Sequence, residues 1–137
     1  MPGESDLGQI LTSLQVRRRV GLYVYATVPV GQPLPDLPIM AMVSEIEGTS
    51  IVVKHEEAVT AGLAYEYESV WLSLTTHTSL NAVGVTATIA TAFAMSDIPC
   101  NVIAGYHHDH ILVPADRVED ALGAVELVRA NAVSSTT

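Results

Sequence analysis

The most regular pattern of apolar and polar positions lies in residues 70–114. Residues 70–75 alternate, with Trp71 on one side of the chain and Leu72 on the other, which is typical of a half-buried strand. Apolar residues then recur at intervals of three and four, which predicts a helix over residues 78–95. The pattern thus indicates a strand followed by a helix.

Two more strands are expected after this helix. Residues 100–104 are apolar and predict a buried strand, and residues 111–113 predict a strand that returns antiparallel to it. The turn between them runs from Gly105 to His110. Residues 69–96 contain no charged side chain, but their six threonines and their change of period favour a strand and a helix over a membrane span.

The flanking segments predict further elements, which bring the total to six strands and four helices. They are an N-terminal helix capped by Ser5 or Asp6, a strand over 22–28, a hairpin of 39–44 with 50–54, a helix over 56–62 that Gly62 ends, and a last helix that starts at Asp116 or Ala115. The second half of the chain lacks an obvious fourth strand. We expect Tyr23–Val28 or a partner chain to complete its sheet.

Composition narrows the class of protein. The chain has 137 residues, about half of them hydrophobic, which suits one compact domain or two small ones packed together. Its net charge of −9 argues against nucleic acid or an anionic membrane as a partner. The N-terminal residues show no signal-peptide pattern, so a cytoplasmic location is the default expectation.

Half of the positive charge lies in one tripeptide, Arg17-Arg18-Arg19. The interpretation we favour is a solvated helix end, where cations complement the helix dipole. The alternative is a clamp for a carboxylate or phosphate.

His107, His108, Asp109 and His110 are all good metal ligands. Along a strand, however, His108 and His110 point to one side and His107 and Asp109 to the other, so four ligands cannot converge. We therefore predict a polar hairpin and no metal site. Cys100, the single cysteine, lies in an apolar strand and is expected to be an unreactive buried thiol.

The start of the helix over 78–95 could bind an anion. Thr78 or Ser79 can cap it, and its free backbone N–H groups and dipole favour a carboxylate. Gly84, placed in the first turn by this prediction, would permit close backbone approach.

These motifs together resemble the ACT-domain proteins, and in particular the small stand-alone tandem ACT proteins of bacteria. The resemblance rests on residues 79–87 and 98–111, which are SLNAVGVTA and IPCNVIAGYHHDHI. It is specific over residues 70–114 and weaker over 23–63, where Glu47-Gly48-Thr49 resembles the family's Glu-Gly turn.

The resemblance implies an α+β fold of ferredoxin-like βαββαβ units, each with an antiparallel sheet and helices on one face. It implies a degenerate N-terminal half, residues 1–65, and a C-terminal ACT domain, residues 66–137, packed as one compact unit. Such units commonly pair and bind an amino acid or similar small molecule where they meet, so a homodimer is expected.

The resemblance also implies a regulatory protein with no cofactor and no catalytic activity. Two alternatives stay open: a metal-dependent or acid–base enzyme that uses the segment His107 to His110, and a structural oligomerisation partner of an enzyme. The implied ligand-binding residues lie after the first strand of the C-terminal domain and on the facing strand: His77, Thr78, Ser79, Val83, Gly84, Val85, Thr86, Asn101, Val102 and Ile103.

Overall fold

The computed structural model describes residues 6–75 and 83–135. The chain divides into two compact units. We call Val20–Val70 the middle unit, and residues 6–19 together with the described residues from 71 to 135 the outer unit.

The chain forms seven strands, four α-helices and one 3-10 turn within the described residues. In order they are α1 (Leu7–Thr12), β1 (Val16–Arg18), β2 (Tyr23–Pro29), β3 (Ala41–Ser44), β4 (Gly48–Lys54), α2 (His55–Ala61), β5 (Glu66–Leu74), α3 (Val85–Met95), β6 (Asn101–Ala104), β7 (Asp109–Pro114), the 3-10 turn (Ala115–Arg117) and α4 (Val118–Ser135).

The middle unit is an antiparallel sheet in the order β3-β4-β2, followed by the first part of β5. β3 and β4 form the predicted hairpin, in which Ala41 pairs with Val52. The helix α2 packs on β4 and β2 and ends at Gly62, whose φ of 68° is the left-handed cap that the sequence predicts. Its core lies between α2 and the sheet and contains Val24, Val28, Ile51, Val53 and Ala58.

In the outer unit the strand order is β5-β7-β6, where β5 contributes its second part. The strand β1 also pairs with this part of β5. The helices α1, α3 and α4 pack on one another, and α4 contacts β7. Asp6 caps α1, as predicted, because its carboxylate accepts the N–H of Gln9 at 3.0 Å. Phe93, Ile89 and Leu72 are fully buried in this unit.

The structure confirms the α+β class and the antiparallel ferredoxin-like arrangement, but it corrects three elements. Arg17 and Arg18 belong to strand β1 and not to a helix end. Strand β5 begins at Glu66, before the predicted Val70. The helix α3 begins at Val85, later than the sequence predicts.

Two N-terminal strands pair with β5. The strand β2 pairs with residues 66–69, the part of β5 that belongs to the middle unit, whereas the strand that pairs with residues 72–74 of the outer unit is β1, which was not predicted. No helix among the described residues has the length and apolar character to cross a bilayer.

Candidate ligand site at the start of α3

Gly84 forms the N-cap of α3 and does not lie in the first turn, contrary to the sequence prediction. Its φ is 95°, a left-handed conformation that favours glycine, and no side chain caps the helix there. The backbone N–H and the hydroxyl of Thr88 both donate to the Gly84 carbonyl, at 2.9 and 2.7 Å. Because the N-cap is a glycine, it offers no side chain to the first-turn N–H groups, and backbone N–H groups at a helix start suit an anionic ligand.

The side chain of Leu7, in α1, approaches Gly84 closely. A Cβ atom at this position would lie 3.1 Å from Cδ2 of Leu7. Position 84 therefore favours glycine for two reasons: its φ is left-handed, and a larger side chain would contact Leu7 of α1. The predicted caps Thr78 and Ser79 lie outside the described residues, as does His77.

The structure brings Thr86 of α3 and Val102 of β6 together. They line a small cavity with Leu74, Ile89, Asp109 and Ile111. Its volume of about 10 Å³ is about that of one water molecule. The helix start and the facing strand are thus neighbours, as the site prediction requires, although the cavity that these described residues line is too small for an amino acid.

The other predicted residues have different environments. Val85 is only 5% exposed and its side chain belongs to the core, so only its backbone N–H could meet a ligand. Val83 is 82% exposed. Asn101 is exposed and Ile103 half-buried, on a strand that pairs with β7 and is the last in its sheet order among the described strands.

Asp109 is a lining residue that the site prediction missed. The antiparallel register places Ala104 opposite Asp109 and Val102 opposite Ile111. Because side chains two apart on a strand share a face, Asp109 lies on the same face as Ile111, beside the cavity. The alternation of side chains along residues 109–113 could have indicated this position, but the sequence interpretation treated Asp109 as a turn residue or metal ligand.

His110 belongs to a separate polar group with Trp71 and Ser73. The indole N–H of Trp71 points at both Ser73 Oγ and His110 Nδ1, each at 3.2 Å, and Ser73 Oγ lies 2.8 Å from His110 Nδ1. Since an indole nitrogen only donates, Nδ1 is an acceptor and the neutral ring carries its proton on Nε2. Ser73 is 9% exposed, so this group satisfies polar atoms inside the unit.

Burial lowers the pKa of His110, and electrostatic interactions with Arg19 and His108 lower it further, whereas Asp109 raises it. The Arg19 guanidinium lies 4.4 Å from the centre of the Trp71 ring, a cation–π contact. His110 therefore stays neutral at physiological pH and accepts hydrogen bonds. The backbone of Gly105 approaches the His110 ring closely, since a Cβ atom at position 105 would lie 3.2 Å from His110 Nε2. Little space is left for a substrate between Gly105 and this ring nitrogen.

The remaining histidines of the segment lie in the turn. The Gly105 N–H donates to the His108 carbonyl at 2.9 Å, which closes the turn. His108 Nδ1 is buried and has no hydrogen-bond partner among the described residues. Within 6–75 and 83–135, no three His, Cys, Asp or Glu side chains come together to hold a metal ion.

Cys100 and Arg18 are the remaining residues whose reactivity or ligand binding the sequence analysis considered. Cys100 precedes β6 and is half-buried, whereas the sequence predicts a buried thiol within the strand; partial burial still raises the pKa of the thiol, which disfavours the reactive thiolate. Arg18 forms an ion pair with Glu119 at 3.6 Å, with both side chains largely exposed.

Two models of the ACT domain match the sequence, one over residues 2–69 and the other over residues 66–126. A crystal structure of a protein of unknown function from Vibrio cholerae, described as a possible transport protein, is 38% identical with a TM-score of 0.80. That match covers 90% of this chain and 95% of the Vibrio protein. The chain belongs to the ACT-domain family.

More distant structures share the fold of this ACT protein. A protein from Agrobacterium tumefaciens has a TM-score of 0.73 at 12% identity, over 85% of this chain and 89% of its own. The regulatory subunit of aspartate kinase from Thermus flavus has a TM-score of 0.59 at 14% identity, over 82% and 95%. No curated protein matches the sequence.

The tandem ACT matches together span residues 2–126, and ACT domains are ligand-binding regulatory modules rather than catalytic ones. This membership supports a ligand-binding regulatory role.

Proposed function

We propose that this ACT protein is a cytoplasmic regulatory module, with no catalytic activity of its own, that binds an amino acid at the start of α3. The observation that carries the proposal is that the start of α3, capped by Gly84, lies beside the edge strand β6.

The two ends of an amino acid match the two sides of this site. Its carboxylate would accept hydrogen bonds from the first-turn N–H groups of α3, where the helix dipole favours negative charge. Its ammonium group would donate to backbone carbonyls of β6, since the register places the Asn101 side chain on the face opposite Val102 and Asp109. The Asp109 carboxylate, beside Thr86 and Val102, supplies the opposite charge.

The cavity that the described residues form between α3 and β6 is too small for an amino acid. The cavity of about 10 Å³ accommodates about one water molecule. We therefore propose that the protein is a homodimer and that the amino acid binds where a second copy meets α3 and β6. Val102, 36% exposed on β6, would lie at this boundary.

Isothermal titration with each standard amino acid tests the proposal. At least one should bind at physiological concentration, and Asp109→Asn should weaken it about tenfold, since a hydrogen bond to a charged group contributes about 1.5–3 kcal/mol. The matched control is Asp116→Asn, an exposed aspartate of the 3-10 turn, which should bind like the wild type. The proposal fails if no amino acid binds, or if Asp109→Asn binds as tightly as the control.

A further inference from the structure

The middle unit contains a cavity where β2 and β5 separate. Their pairing ends at Tyr25 opposite Glu66, whereas β2 continues to Pro29. Residues 64 and 65, which lead into β5, line the space beside β2. The cavity has a volume of about 400 Å³, within the usual range of about 300–1,000 Å³ for small-molecule sites.

Aromatic and polar side chains line this cavity. They include Tyr25, Thr27, Ser50, Tyr65 and Glu66. The Tyr65 hydroxyl lies 2.9 Å from His55 Nε2, and the two rings meet edge to face with centroids 5.1 Å apart. These contacts fix one wall of the cavity.

A third tyrosine, Tyr67, lies beside Tyr25 and has an unusual backbone conformation. Tyr67 has a φ of 69°, a left-handed value that is strained for a bulky residue. It coincides with the shift of register between β2 and β5, and the ring of Tyr67 is 6.1 Å from that of Tyr25. The bulge therefore brings another ring close to a residue that lines the cavity.

The charge of the middle unit favours a cation. Val20–Val70 contains seven acidic residues and one lysine, a net charge of −6 out of −9 for the chain. The carboxylate of Glu66 lies at the cavity itself. A concave surface of one sign concentrates small ions of the opposite sign, and aromatic faces attract ammonium groups.

We propose that this cavity is a second small-molecule site, independent of the site at α3, and that it binds a small organic cation with an ammonium group. Glu66 neutralises the charge, and the rings of Tyr25 and Tyr65 provide the aromatic faces. The cavity is formed by one chain, so the site does not require a second copy.

Choline, with its uncharged carbon analogue as control, is the probe that tests this site. In the analogue a tert-butyl group replaces the trimethylammonium group, so shape is kept and charge is lost. Amide NMR of the isotope-labelled full chain should show choline shifting the resonances of Tyr25, Ser50, Tyr65 and Glu66. The analogue should bind at least about fivefold more weakly, as a cation–π contribution of about 1 kcal/mol implies. Equal binding of the two, or no shift at these residues, would overturn the proposal.

Matched variants separate the cavity from the general charge of the unit. Glu66→Gln removes the lining charge and should weaken choline binding about fivefold or more, whereas Glu57→Gln on α2 makes the same charge change away from the cavity and should leave it unaltered. Tyr25→Phe should retain binding and Tyr25→Leu should lose it. If both glutamine variants weaken choline equally, diffuse charge is responsible and the proposed site is wrong. Glu66 is exposed, so its variant decides the matter even if Tyr25→Leu does not fold.

Discussion

The cavity beside Tyr25 and the cavity beside Thr86 differ in volume, about 400 Å³ against about 10 Å³. The larger one arises in the middle unit, because β2 and β5 stop pairing at Tyr25. The smaller one lies in the outer unit, between α3 and the intact β6–β7 hairpin. Within the described residues, the cavity between α3 and β6 is therefore too small for a small-molecule ligand, whereas the cavity of the middle unit, which the resemblance did not predict, has sufficient volume for one.

The two units also differ in the environment of their histidine side chains. In the outer unit Trp71, Ser73 and His110 satisfy one another, with Ser73 9% exposed. In the middle unit the comparable histidine, His55, is only partly covered and contacts Tyr65 and Glu68 at 2.9 and 3.1 Å. The histidine of the outer unit thus belongs to an internal polar group, whereas the histidine of the middle unit contacts side chains at the surface.

The largest expected effect concerns the second copy. Val102→Glu places like charges at the proposed boundary between copies, which should convert the dimer to a monomer and weaken amino-acid binding at least about tenfold. Choline binding in the middle unit should not change. Light scattering gives the mass, and titration of the same sample gives both affinities.

Val43→Glu is the matched control for this prediction. Val43 is 59% exposed on β3, the edge strand of the middle unit, and this change should alter neither mass nor amino-acid binding. A Val102→Glu protein that stays dimeric, or a monomer that binds the amino acid normally, would contradict the boundary site.

A smaller effect is expected from two glycines of the outer unit. Gly105→Ala would place Cβ 2.8 Å from the His108 carbonyl oxygen and 3.2 Å from His110 Nε2, so we expect destabilisation of about 1–3 kcal/mol. At Gly123 in α4, a Cβ would have nothing within 4 Å, so Gly123→Ala should stabilise by about 0.5–1 kcal/mol. Urea unfolding measures both, and equal changes for the two would refute this account of the turn.

The smallest expected effect is on pH dependence. Because burial lowers the pKa of folded His110 below its usual value, the unfolded chain binds a proton first as the pH falls. The stability that neutral His110 contributes is complete above about pH 6.5, the ordinary histidine pKa, and is lost as the pH falls through the lower folded value. Arg19 and His108 act in the same direction and Asp109 opposes them.

Unfolding free energies measured between neutral and mildly acidic pH test this prediction. The loss of stability on acidification should be smaller in His110→Gln than in the wild type, and His107→Gln, in the exposed turn, should behave like the wild type. An unchanged pH dependence in His110→Gln would show that the Trp71–Ser73–His110 group does not respond to pH.

Local sequence signals predicted much of this fold. The cap at Asp6, the left-handed Gly62 and the β3–β4 hairpin each follow from residue chemistry within a few positions. The strand β1 could not be predicted this way, because three successive arginines resemble a solvated helix end. The start of β5 was missed because Glu66 and Glu68 made the segment look like a loop.

The candidate site was predictable in part. The structure places Thr86 beside Val102 and so supports the facing arrangement of α3 and β6, while the ligand-binding roles stay a prediction. Asp109 and the size of the cavity depend on the hairpin register and on side-chain packing between distant segments, which periodicity does not reveal. The same holds for the Tyr25 cavity, which arises where pairing between β2 and β5 ends.

The most direct measurement is amide NMR of the labelled protein during titration with each standard amino acid. We predict that a binding amino acid shifts the resonances of Gly84 to Thr86 and of Asn101 to Ile103, and leaves those of Tyr25 and Glu66 in place. Shifts confined to the Tyr25 cavity, or no shift with any amino acid, would contradict the claim that the start of α3 is the amino-acid site.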